Sequence, residues 1–162
     1  MPRIDWRSAA LAGIVSGVVA TFAQIALWWA SSAPLPAILF RDARLTAAII
    51  MGHGMLLPSS TFDWSIMLVA TFVHFALSIA YGFTLAVMIS RLSTPQSLLA
   101  GAAFGLFLYV VNMYGFTVVF PWFAAARDWI TAATHAVFGI VAAAVYKAVP
   151  IQTPRSMKRS DY

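Results

Sequence analysis

The sequence predicts an all-α integral membrane protein: a four-helix bundle of two repeated helical hairpins, with a short interfacial helix added in the first outer loop. Three observations predict it. Apolar residues make up 62% of the 162 residues and charged residues only 9%, against about a quarter in a soluble domain, so a water-facing surface could not be covered. Four apolar stretches reach the roughly 20 residues that a helix needs to cross a bilayer. One pattern of small and polar residues occurs twice.

The spans are expected at 8–30, 64–90, 97–120 and 127–149, within a single domain over 1–149. The apolar part of the first is longer than the roughly 7–15 residues of a signal-peptide core, so it reads as a retained span although Ser31-Ser32-Ala33 follows it. In the first outer loop, Pro34 and Pro36 precede 37–51, and Gly52-His53-Gly54 can end that segment. Arg41, Asp42 and Arg44 group near its start and the rest is apolar. It reads as a short helix on the outer membrane surface, with a re-entrant plug over the bundle as the alternative. Ser93-Thr94-Pro95 is helix-start chemistry and makes spans two and three a tight hairpin. Residues 150–162 read as a basic, disordered cytoplasmic tail.

Charge placement sets the orientation and excludes several functions. With four spans, Arg3, Arg7, Arg91, Lys147, Arg155, Lys158 and Arg159 share one side, while Arg41, Arg44 and Arg127 lie on the other. The richer side is cytoplasmic, so both termini are expected on the cytoplasmic side of a bacterial inner membrane. The net charge of +5 flanks spans rather than forming a patch, so nucleic acid is not an expected partner. The absence of Cys excludes disulfides, thiolate metal sites and Cys nucleophiles. The five acids, all Asp, lie outside the long apolar runs, and no nucleophile sits in a recognisable elbow. No catalytic residue or metal site is predicted, and the chain is not expected to be an enzyme.

The repeat is the most informative feature. Leu11-Ala12-Gly13-x-x-x-Gly17 recurs 88 positions later as Leu99-Ala100-Gly101-x-x-x-Gly105, and the same offset carries Gln24 onto Asn112. His74-x-x-x-Ser78 recurs 61 positions later as His135-x-x-x-Gly139. This implies two hairpins in the same orientation, related by a pseudo-twofold axis along the membrane normal. Gly13/Gly17, Ser78/Gly82, Gly101/Gly105 and Gly139/Ala143 each place two small residues on one helical face, where backbones can approach closely in lipid.

Counting residues from the expected span ends puts His74 roughly 15 Å and His135 roughly 12 Å below the outer boundary, and Gln24 and Asn112 some 8–10 Å below it. Thr71, Thr131 and Thr134 lie near this layer, with Tyr109 about a turn deeper. The expected role of the layer is interhelical hydrogen bonding, in a structural or accessory membrane protein that contacts lipid and packs against itself or a larger membrane complex. No cofactor is required. The alternative is ligand handling, in which His74 and His135 ligate haem b from opposite faces or move a proton or small solute.

Thr71-x-x-His74-x-x-x-Ser78, Ser97-Leu98-Leu99-Ala100-Gly101-Ala102 and the last span with His135 carry a family likeness. Over 71–147 the chain resembles the YagU-like bacterial inner-membrane proteins. The resemblance implies a multi-span inner-membrane protein connected with acid tolerance, and it implies that the two membrane histidines belong to the pattern.

Overall fold

The computed structural model describes residues 4–56 and 61–149; the expected tail at 150–162 lies outside the described residues. Five α-helices account for the fold: α1 Trp6–Ala30, α2 Ala37–Met51, α3 Trp64–Ile89, α4 Thr94–Val110 and α5 Trp129–Ala148. No strand forms among the described residues. Four helices are long and apolar enough to cross a membrane, α4 reaching Val118 through its irregular end. Phe22 and Phe72 are each 68% exposed and Leu99 74%, a surface suited to contact with lipid.

Three helices share one start. Asp5, Asp63 and Asp128 are the N-caps of α1, α3 and α5, and each is followed by a tryptophan. The carboxylates accept from backbone N–H groups that have no intrahelical partner, as Asp63 does from Ser65 at 2.8 Å and Asp128 from Thr131 at 2.7 Å. α4 starts at Thr94, three residues before the expected 97, because Gln96 Oε1 reaches back to accept from the Ser93 N–H at 3.1 Å. α2 spans 37–51 and stops at Gly52, whose φ of +85° suits only glycine.

The helices pair as α1 with α3 and α4 with α5, while α1 and α5 meet through the middle. Small residues make both crossings. A Cβ on Gly13 would sit 2.5 Å from the Ser78 carbonyl oxygen, and Gly82 faces the Ala9 carbonyl. In the other pair Gly101 and Gly139 face each other's carbonyls, Ala143 touches Gly101, and Gly105 lies on the His135 carbonyl. The expected tight hairpin of spans two and three is tight only in its connection. Leu92 at that turn accepts from Lys147 Nζ at 2.8 Å, but α3 and α4 then diverge. Leu85, Ile89, Phe104, Phe138 and Ala142 close the bundle toward the end where α1 begins and α5 finishes. Toward the α2 end, a space opens.

Span three does not continue to 120 as one regular helix. After Val110 it widens into a π-turn at Val111–Gly115, then tightens into a 3₁₀ turn at Phe116–Val118. Arg127 holds this end: its Nε donates to the Met113 carbonyl at 2.6 Å, and its guanidinium lies 4.5 Å from the centre of the Tyr114 ring.

Candidate functional site

The space at the α2 end is a cavity of about 340 Å³ bounded by α1, α3, α4, α5 and one face of α2. Gln24, His74, Asn112 and His135 all line it. Four residues from four helices reach it because each is the inward member of its own turn: Gln24 is one turn beyond Ala20, His74 one turn before Ser78, and His135 one turn before Gly139. Asn112 stands in the π-turn, whose extra residue reorients its side chain relative to a regular helix.

Hydrogen bonding fixes the proton positions on one side of the cavity. His135 Nδ1 lies 2.7 Å from the Thr131 carbonyl oxygen. A carbonyl only accepts, so this nitrogen carries the proton, and in the neutral ring Nε2 is bare. The Asn112 Nδ2 group therefore donates to Nε2 at 3.3 Å. With the amide so oriented, Asn112 Oδ1 accepts from the Tyr81 hydroxyl at 2.8 Å. A directed chain results, from Tyr81 through Asn112 and His135 to the backbone of α5.

On the opposite side, His74 Nε2 lies 3.3 Å from the Gly17 carbonyl and 3.5 Å from Thr21 Oγ1. It donates to the carbonyl, which leaves Nδ1 without a hydrogen-bond partner among the described residues. Gln24 Nε2 donates to Asp42 Oδ2 at 3.4 Å, and Asp42 is paired with Arg41 at 2.7 Å. Burial holds the Asp42 carboxyl above its usual range, opposed by the Arg41 guanidinium. Outside the bundle, Asp5 and Asp63 are held below that range by the Ser8 and Ser65 hydroxyls and the capped N–H groups.

A second cleft of about 420 Å³ adjoins the first and shares Gln24, His74 and His135 with it. Thr71 and Thr131 face this cleft and Thr134 the first cavity, whereas Tyr109 packs edge-on against the His135 ring at 5.8 Å and lines neither. His53 packs on Trp122 at 5.8 Å, away from both. Three polar contributors lay beyond the sequence reading, and one of them, Thr21, is legible as the residue three before Gln24 on the same helical face. Tyr81 could have been found, since it is seven residues after His74 and hence on the same helical face. Thr46 could not, because it comes from α2, whose contact with the bundle is tertiary.

No group of three His, Cys, Asp or Glu side chains able to hold a metal ion occurs among the described residues. The fold and cavity define a helical protein with four helices fit to cross a membrane and a polar-lined space between them. No family model, curated protein or solved structure matches the chain.

Proposed function

We infer that this is a non-catalytic, multi-pass inner-membrane protein that binds a small lipid-soluble molecule between its helices. One observation carries the reading: Gln24, His74, Asn112 and His135, from four different helices, converge on one cavity of about 340 Å³. Ligand sites are usually apolar spaces of roughly 300–1,000 Å³ with a few converging polar groups. Pure packing glue needs no such space.

The internal repeat belongs to this reading. α1 and α4 begin 88 positions apart, at Trp6 and Thr94, which is the offset that relates Gly13 to Gly101. Gly13 meets the Ser78 carbonyl and Gly101 meets the Gly139 carbonyl, residues 61 positions apart. Duplication brings a polar pair from each hairpin to one level, and the cavity is where the two copies face each other. α2 is then a re-entrant plug rather than a surface helix. Its Ala47 packs in one cluster with Ala70, six residues or about 9 Å into α3, and Leu45 accepts from Trp122 Nε1 at 3.0 Å. The excess of Lys and Arg on the side of the termini supports a cytoplasmic location for both. YagU-like membership fits a chain of this span number, and it would make His74 and His135 common features of the group.

Haem ligation receives less support. It needs a bare imidazole nitrogen from each ring aimed at the iron, yet both nitrogens of His135 are engaged, Nδ1 by the Thr131 carbonyl and Nε2 by Asn112, and His74 offers only its Nδ1. The structural or accessory reading keeps one favourable observation, the internal satisfaction of the Tyr81–Asn112–His135 chain.

Native mass spectrometry of protein ejected from lipid nanodiscs separates the two. Wild type should carry a small non-covalent adduct. Ala20→Phe, which fills the cavity wall, should lose it while keeping its helical content. Wild type without an adduct, and without thermal stabilisation by added aromatic solutes, would leave the structural reading in place.

A further inference from the structure

The polar groups of the cavity have a common direction. The Tyr81 hydroxyl donates to Asn112. Thr21 donates to the Gly17 carbonyl at 2.9 Å, Thr46 to the Asp42 carbonyl at 3.0 Å, and Thr134 to the Thr131 carbonyl at 3.0 Å. Both histidines donate to backbone carbonyls, and Gln24 turns its amide nitrogen to Asp42. Each of these groups has turned a proton toward the protein. What they leave for a guest is mainly lone pairs, Nδ1 of His74, Oε1 of Gln24 and the hydroxyl oxygens, beside the second amide hydrogens of Gln24 and Asn112. Ser78 is the exception, a lining hydroxyl with no internal acceptor among the described residues.

Two further features bound the guest. Among the described residues no Lys, Arg, Asp or Glu lines this cavity, so a charged guest would be buried in the membrane without a counter-ion, at a cost of several kcal/mol for the ion. Phe116, Phe120, Phe123 and Phe138 stand around the polar groups and give a flat apolar molecule ring faces and edges to pack on.

We propose that the cavity takes an uncharged, lipid-soluble alcohol or phenol, recognised through a hydroxyl that donates to the lone pairs of the wall. The proposal rests on the ligand-binding reading above and adds the chemical class. A guest bearing only acceptors, such as an ether or a ketone, would leave the Nδ1 lone pair of His74 unused and set its polar atom against a wall that offers more acceptors than donors.

The test compares 2-naphthol with 2-methoxynaphthalene, which share a ring system and differ by one donor. Binding is measured by equilibrium dialysis against the protein in lipid nanodiscs, with empty nanodiscs as the partition blank. After the blank is subtracted, 2-naphthol should bind roughly tenfold more tightly, the effect of about one hydrogen bond in a buried site. His74→Phe, which removes the ring lone pair, should bring the two ligands together, and Thr46→Val should narrow the gap without touching the α1–α3 crossing. Equal binding of the two compounds to wild type, a preference for the ether, or a preference unchanged in both variants overturns the donor proposal while leaving the cavity a ligand site. Absence of binding by either compound above the blank overturns both readings.

Discussion

Among single residues, the glycines at the two helix crossings carry the sharpest structural demand. A Cβ on Gly105 would run into the His135 carbonyl and backbone, whereas one on Gly115 meets nothing within 4 Å. Backbone cannot move aside as a flexible side-chain end can, so the two positions should respond oppositely. Gly105→Ala should destabilise the bundle by about 1–3 kcal/mol through overpacking, read as a lower midpoint of thermal or denaturant unfolding in detergent. Gly115→Ala should stay within about 0.5 kcal/mol of wild type. The crossing also forms part of the site. Gly105 touches the residue whose ring completes the Tyr81–Asn112–His135 chain, so a looser α4–α5 contact would shift His135 relative to Asn112.

At the level of the helices, α2 is the element that the sequence left open, and Asp42 is its most telling residue. Burial raises its folded pKa above the ordinary 3.8 against the pull of Arg41. The folded chain thus takes up a proton at a pH where the unfolded chain does not. The contribution of Asp42 to stability therefore increases as pH falls from above that folded value toward 3.8, and levels off below it. Asp42→Asn, which keeps an acceptor for Gln24, lacks this slope. It should be more stable than wild type at pH 8, with the gap closing on acidification; a pH-independent gap would contradict the assignment. Helices α1, α3 and α5 were legible from length and hydropathy, and their starts could have been read more sharply, because Asp-Trp opens all three. The π-turn was not legible. Val111–Gly115 is apolar and helix-like in pattern, and what accompanies its widening is a tertiary bond from Arg127, fourteen residues away. The matched polar residues were legible as a repeat. That they enclose a space was not, since a cavity depends on how far α3 and α4 diverge and no residue pattern states that.

For the molecule as a whole, the closed end and the open end divide the labour. Leu85, Ile89, Phe104 and Phe138 fill the bundle toward the start of α1 and the end of α5, while the cavity lies toward α2. In the topology proposed above, the filled end would face the cytoplasm. The chain has no Cys, so single introduced cysteines report the topology cleanly. In intact cells or right-side-out vesicles, His53→Cys should react with a membrane-impermeant maleimide, and Arg91→Cys should react only after permeabilisation. The reverse pattern would invert the bundle and place the cavity toward the cytoplasm.

The chain of bonds from Tyr81 to the backbone of α5 has one further consequence. A wire of hydroxyls and waters passes a proton by each link handing on its own, then turning over. Here the middle link is the amide of Asn112, which gives a hydrogen to His135 and takes one from Tyr81. It cannot relay a proton unless the whole group rotates and both bonds break. Beneath it, the apolar packing of the closed end offers no continuation. The polar groups thus sit in the membrane as an insulated pocket, electrically dead-ended on one side. Liposomes containing the protein should accordingly hold an imposed pH gradient as long as empty ones do.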